Sequence, residues 1–498
     1  MNTVLGIDLG TQSLKVVFYD YEAREVVASA AAPLEVDRDA GGKAEQAAEW
    51  WLATLASALG SVPGPIRASV QAIGVSGQQH GFVPVAADGS VLAPVKLWCD
   101  TATQSQVDAI TADAGGRERC IELTGLPVLA GYTAPKIRWL ADEHPDIYAR
   151  MAHVMLPHDY LNFVLTGAVA MEYGDASGTG LLDVRRRSWS DEMVRVVDPT
   201  GKLADALPGL VEADTAIGHV NAAAAARFGL PEGTPVSTGG GDNMMAAIGT
   251  GNVSAGKLTM SLGTSGTLFA HSETPVVDEA GNIAAFCGST GGWMPLLCTM
   301  NCTLATELVK QLLDVGNDTF DATVSRAPAG SDGLTVLPFF TGERTPDLPR
   351  ASASMLGLNA QNTTPGHVLR ATMEGATFAI RFGVDELTRL GIKAEEIVLT
   401  GGGSNSAEWR QAVADICGLP VTVLVQDEGA SFGAALQALW MLGQENGNGM
   451  AIADIAAEHL QPCTERSVTP NPETATAYAA AYSRYRKALD TLAPLLDP

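Results

Sequence analysis

Five glycine-marked turns hold the residues of this chain that could do chemistry. The first is Gly6-Ile7-Asp8-Leu9-Gly10-Thr11, with Lys15 beyond it. Glycines in a hairpin let backbone N–H groups come close to anionic oxygens, and the Thr11 hydroxyl adds a donor. A strand-end carboxylate such as Asp8 can hold Mg²⁺ through water, because that ion keeps most of its hydration shell. Lys15 would offset phosphate charge. An ordinary tight hairpin with a surface aspartate fits the same residues. The second turn, Gly263-Thr264-Ser265-Gly266, could clamp phosphates in the same way. The third, Gly401-Gly402-Gly403-Ser404-Asn405, offers a flat surface for a base or ribose next to a helix N-terminus, or a plain strand–helix turn.

The other two turns suit a second substrate. Gly239-Gly240-Gly241-Asp242-Asn243 leads into a helical stretch, Met244–Ile248. A run of glycine costs backbone entropy and makes sense where a ligand touches the chain. Asp242 there could accept a proton from an aligned hydroxyl, which is most of the covalent help that phosphoryl transfer needs; it could equally be a helix cap. Gln78-Gln79-His80 follows a strand. Amide and imidazole groups both donate and accept, which suits sugar hydroxyls, although a structural histidine is the commoner use.

The elements must bring these turns together. Val4–Asp8, Leu14–Tyr19 and Glu25–Ala30 read as a three-strand meander. A helix is expected over Glu45–Leu59 and a strand over Ala72–Ser76. Asn221 should cap a helix over Ala222–Phe228 that Gly229 ends. Leu258–Leu262 and Thr267–His271 repeat the opening hairpin. Helices are expected over His367–Leu390, Ala407–Cys417 and Thr474–Leu492, with a strand over Glu396–Thr400. Two halves with matching turns imply duplicated α/β domains facing each other across a cleft.

Composition narrows the function classes. The chain has 498 residues and a net charge of −25, which argues against nucleic-acid or anionic-membrane surfaces. Seven cysteines without a C-x-x-C pair indicate neither zinc nor a disulfide framework. Without a signal peptide or an apolar run of roughly 18 residues, a cytoplasmic protein is expected.

The ordered motifs GIDLGTQSLK, SGQQHG, GYTAPKIRWLADE, LPHDYL, GDASGTGLLDV, GGGDN, SLGTSG, FFTGERTP and LTGGGSNSAEWRQ resemble the FGGY family of carbohydrate kinases, and within it the xylulokinases. The resemblance covers nearly the whole chain. It implies two actin-like (ribonuclease H-like) domains, 1–245 and 246–498, with ATP, Mg²⁺ and sugar between them and the terminal helix packing back on the first domain. It implies ATP-dependent phosphorylation of D-xylulose, with Asp242 as base. Gln79, His80, Asp242 and Asn243 would hold the sugar and Asp8 the Mg²⁺. Gly10, Thr11, Lys15, Gly263, Thr264 and Ser265 would face the phosphates, and Gly402, Gly403 and Asn405 the adenosine. A homodimer is also implied. Gln79, Thr101-Ala102 and His158 stand where some xylulokinases carry Met, Gly-Arg and Lys. Another ketose or polyol (ribulose, gluconate, glycerol) remains open on the residues, as does an actin-like ATP-gated binding protein.

Overall fold

A computed structural model describes residues 2–426 and 429–496. Two mixed sheets are built on one plan. In the first, Thr3–Leu9 pairs antiparallel with Ser13–Asp20, which pairs antiparallel with Glu25–Pro33; on its other side Thr3–Leu9 pairs parallel with Val70–Gly77, and Pro235–Ser237 follows in parallel. In the second, Gly256–Leu262 pairs antiparallel with Gly266–Ala270, then Trp293–Thr299 follows; on its other side lie Ala394–Thr400 and Val421–Thr422, both parallel. The same order around the same opening hairpin bears out the duplicated α/β architecture.

Alternating burial explains the strands: Leu5, Ile7, Val16 and Phe18 pack into one core with Trp51 and Leu55 of the Ala48–Gly60 helix, while Val4, Val17 and Tyr19 face another. That helix begins later than expected, because Ala44–Gln46 is a strand held to Val95–Lys96. Ala222–Phe228 and Ala407–Cys417 are as expected, and the Asn221 side chain accepts from Ala224 N.

The terminal helix departs from expectation. Ala475–Leu496 buries Tyr478, Ala481, Tyr485 and Leu489 in the core of the second sheet. Its apolar stripe is aromatic and matches that core. The helix that returns to the first sheet is Gly429–Glu445, whose Phe432, Ala434 and Ala435 share a core with Val4, Tyr19, Met244 and Met245. Small residues permit this closeness. A Cβ on Gly6 would lie 1.8 Å from Ser431 O, and one on Gly433 1.7 Å from Met245 O. Both halves are therefore tied through the helix that Asp242 starts.

Candidate active site

Three neighbouring parallel strands of the first sheet end level: Leu9 and Gly241 both register with Gly77. Gly10-Thr11, Gln78–His80 and Asp242 consequently leave the same edge. In the facing sheet Ser261 registers with Thr400, so the Gly263 and Gly401 turns also leave side by side. Carboxyl ends of parallel strands form the usual ligand crevice of such sheets. Here a cavity of about 510 Å³ is walled by Thr11, Gln79, His80, Asp242 and Asn243 from one side and Gly263, Ser265 and Arg344 from the other.

Asp242 is the first residue of the Asp242–Gly249 helix, and Gly241 occupies the cap position. Asp242 is thus not a capping side chain. Its Oδ1 accepts from its neighbour's backbone, Asn243 N, at 2.8 Å and from Asn243 Nδ2 at 3.1 Å. Asn243 Nδ2 also donates to Gln79 Oε1 at 2.9 Å. The Gln79 side chain lies across Gly241, where a Cβ would come within 2.7 Å of its Cγ. Burial, then the charge of Asp8, pushes the Asp242 carboxyl up to about 7. Asp8 is itself raised by burial, against a 2.8 Å hydrogen bond from Ser76 Oγ and the charge of Lys15.

The neighbouring wall is built on an unusual backbone. His80 has φ of +64°, rare for a residue with a Cβ. Its carbonyl accepts from Lys136 Nζ at 2.8 Å and Thr133 Oγ1 at 3.2 Å. Its ring sits 4.9 Å from Tyr132 and 5.8 Å from Phe286. Burial, then the charges of Lys136 and Arg344, holds this imidazole well below its usual pKa, so it is neutral. Burial also brings the Lys136 ammonium down to about 7. Gln79 Nε2 and His80 Nδ1 are buried without a hydrogen-bond partner. His80 Nδ1 lies against the Gly178 backbone; the orphaned Gln79 Nε2 costs about 1–3 kcal/mol, which a ligand hydroxyl would recover.

The remaining expected residues surround this wall. Thr11 Oγ1 already donates to Gln78 Oε1 and accepts from Trp98 Nε1, at 3.0 and 2.9 Å. Its backbone, rather than its hydroxyl, is what the turn can offer. Gly10 N closes the hairpin on Ser13 O, and Lys15 registers opposite Asp8. Thr264 is exposed and its carbonyl accepts from Cys302 N. Gly402 and Asn405 are exposed, Gly403 packs on Leu262, and Asn405 Oδ1 accepts from Arg466 at 2.9 Å. Asp8, Gly10, Lys15, Thr264, Gly402, Gly403 and Asn405 therefore stand around the cavity rather than in its wall. Trp98, Tyr132 and Arg344 are in the wall but were not singled out. The signature segments containing Tyr132 and Arg344 were visible, but no spacing rule said that they converge.

Comparison with known proteins shows the family. The N-terminal domain model of the FGGY family of carbohydrate kinases matches residues 3–249, and its C-terminal domain model matches 258–442. The chain belongs to the FGGY family of carbohydrate kinases. A xylulose kinase of Haemophilus influenzae is 40% identical over 98% of this chain and 99% of its own. A solved "xyloylose kinase" from Brucella ovis is 32% identical, with a TM-score of 0.90 over 99% of this FGGY kinase and all of the other. A gluconate kinase from Lactobacillus acidophilus, 22% identical, gives a TM-score of 0.91 over 99% of this chain and 98% of its own. Overall shape thus does not select the sugar.

Proposed function

We propose that this FGGY kinase transfers the terminal phosphoryl group of ATP to D-xylulose, giving D-xylulose 5-phosphate and ADP. The observation that carries this reading is the placement of Asp242, raised to about 7, in one cavity wall with Gln79, His80 and Asn243. A base with that pKa is matched to neutral pH. The sugar would lie against Gln79, His80 and Asn243, with the unpartnered Gln79 Nε2 taking one of its hydroxyls. Asp242 accepts the proton of the 5-hydroxyl as its oxygen bonds to the γ-phosphorus, and the bond to the bridging oxygen of ADP breaks. The likeness to xylulose kinases over full length supports D-xylulose among possible sugars.

The Gly10-Thr11 and Gly263–Ser265 turns would face the phosphates, and Gly402, Gly403 and Asn405 the adenosine. Mg²⁺ fits the residues present: the Asp8 charge raises Asp242, and a cation nearby would relieve that repulsion. Asp8 would hold the ion through water, and it would neutralise charge on the phosphoryl oxygens. All seven cysteines are free thiols, which suits a cytoplasmic, reducing compartment. Among the described residues no helix is long and apolar enough to cross a membrane.

The test is ADP release with Mg-ATP against a panel of pentuloses, hexuloses and polyols, with Asp242→Asn beside the parent. Stimulation by D-xylulose that the variant loses supports both substrate and base. Stimulation by another sugar moves the substrate; a variant as active as its parent removes Asp242 from the chemistry.

A further inference from the structure

Two arginines from different parts of the chain grip the turn proposed to face adenosine. Gly401-Gly402-Gly403-Ser404-Asn405 lies directly on the Gly263 turn: a Cβ on Gly401 would come within 2.7 Å of Leu262 C, and one on Gly403 within 2.7 Å of Leu262 Cβ. Arg410, in the Ala407–Cys417 helix and 8% exposed, donates through Nη1 to Ser404 O at 2.7 Å and to Asn405 O at 3.0 Å. Arg466 donates through Nη2 to Ser404 O at 3.1 Å and to the Asn405 side chain, at Oδ1, at 2.9 Å.

The segment that carries Arg466 is fixed by its backbone. Val421 and Val468 exchange N–H···O bonds of 2.8 and 2.9 Å, and Cys463 N donates to Val423 O at 2.7 Å. Between these anchors the chain turns, with Arg466 N and Ser467 Oγ both donating to Cys463 O. Val468 packs against the core of the second sheet. The guanidinium is thus delivered to Asn405 from a rigid edge. An amide can sit either way round, and its neighbours decide which. A guanidinium only donates, so Arg466 draws Oδ1 of Asn405 toward itself and leaves Nδ2 pointing away. The carbonyls of Gly401 and Gly403 already accept from Ser404 N and Ser406 N, and Ser404 O takes both arginines. On its exposed side the turn therefore presents a donor, the Asn405 NH₂ group.

We infer that Arg466 is a positioning residue for the nucleotide: it holds the Asn405 amide with its NH₂ group outward, toward a hydrogen-bond acceptor of adenosine. This rests on the proposed placement of adenosine against the turn. Without the guanidinium the amide is free to turn its oxygen to the nucleoside, where an acceptor would meet an acceptor. One nitrogen of Arg466 makes both bonds. A lysine ammonium, with three donors, can therefore stand in for it, and a methionine of similar length cannot.

The experiment uses the full chain with Arg466→Met, Arg466→Lys, Asn405→Ala and the double variant of Arg466→Met with Asn405→Ala. It reads ADP affinity by calorimetry and the KM values for ATP and D-xylulose. Arg466→Met should weaken ADP and raise the KM for ATP roughly threefold to tenfold, the worth of one hydrogen bond, while the sugar KM stays within about twofold. In the Asn405→Ala background the same substitution should change ADP affinity by less than about twofold, because the amide it orients is gone. Arg466→Lys should stay close to the parent. Equal weakening by Arg466→Met with and without Asn405, a lysine variant no better than the methionine one, or equal rises in both KM values would overturn the inference; Arg466 would then only hold its segment in place. If Asn405→Ala alone leaves ADP affinity and the KM for ATP unchanged, adenosine does not lie on this turn, and that placement falls together with the inference. If Asn405→Ala weakens both and Arg466→Met weakens neither, the placement stands and the inference alone falls. Calorimetry needs no turnover, so it reads these outcomes whichever sugar is the substrate.

Discussion

The side-chain amide of Asn243 joins Gln79 to Asp242, lying 2.9 Å from Gln79 Oε1 and 3.1 Å from Asp242 Oδ1. The residue proposed to recognise the sugar and the residue proposed to take its proton thus share one donor, although they come from different turns. A donor to a carboxylate favours its charged form. Asn243→Ala should therefore raise the pKa of Asp242 further and loosen Gln79 together. A hydrogen bond to a charged group is worth about 1.5–3 kcal/mol, so kcat/KM for D-xylulose should fall roughly tenfold to a hundredfold. Steady-state kinetics at pH 7 and pH 8.5 check this, with a smaller deficit at the higher pH.

The position of Asp242 near neutrality sets a pH profile. Burial and Asp8 raise its carboxyl to about 7, so the carboxylate, the form the proposed base needs, predominates above that value. In the parent, kcat/KM should rise with pH and then level, with an apparent pKa that moves below about 7 as Mg²⁺ relieves the Asp8 charge. The same shift acts on stability with a definite sign. A carboxyl raised in the folded state contributes stability that is full below its ordinary range and lost as pH rises through about 7. Asp242→Asn should unfold at a higher temperature than the parent at pH 8, with the difference shrinking as pH falls toward 4. Glu172, also raised to about 7 by burial, stays in both proteins and cancels from the comparison. Thermal unfolding at four or five pH values reads this directly, and a constant difference would contradict the assignment.

How legible this was differs by element. The opening hairpins of both halves could be read because alternating apolar residues and glycine turns are local signals, and each strand came within two residues at its start. Asp242 stood out because three glycines precede it, but the same local signal fits a helix cap, a use that the Gly241 cap position excludes. The Gly429–Glu445 helix was missed: it is alanine- and glycine-rich with no strong apolar stripe, because it is buried on several sides. The terminal helix was legible as a helix of the second half, but its aromatic stripe says only that it packs, not against which sheet, and the contact with the first domain that the resemblance implied is not what its buried face makes. Lys136 and Arg466 could not have been assigned, since their partners, His80 and Asn405, lie 56 and 61 residues away and only the fold brings them into contact.

Lys136 yields a third expectation. Its ammonium donates to the carbonyls of His80 and Gly131, at 2.8 and 2.7 Å, and so pins a residue held at positive φ. A conformation of that kind costs about 1–3 kcal/mol and persists only when its surroundings hold it. Lys136→Met keeps the length of the side chain and removes both bonds. His80 should relax, and the KM for D-xylulose should rise by roughly tenfold or more while sugar-independent ATP hydrolysis is unaffected. Combining it with His80→Ala should add little, because the pinned ring is already gone. Measuring both hydrolysis and transfer separates this from a general loss of fold.

The packing of Gly433 on the helix that Asp242 starts leads to the last expectation. A Cβ there would lie 1.7 Å from Met245 O and 2.8 Å from Gly249 N, all of it backbone that no side-chain rotation can clear. Gly433→Ala must push the Gly429–Glu445 and Asp242–Gly249 helices apart. Overpacking of this kind costs about 1–3 kcal/mol, and moving the start of the second helix by an angstrom costs about a hundredfold in rate. Both melting temperature and kcat should fall, the latter with D-xylulose at saturation. Gly402 supplies the contrast. It is exposed, and a Cβ on it meets nothing within 4 Å. Gly402→Ala should leave the melting temperature and the sugar KM unchanged, and should raise the KM for ATP if adenosine lies against that turn. A variant at Gly402 that instead weakens the sugar, or one at Gly433 that leaves kcat intact, would break the connection drawn between the packed helices and the placement of the base.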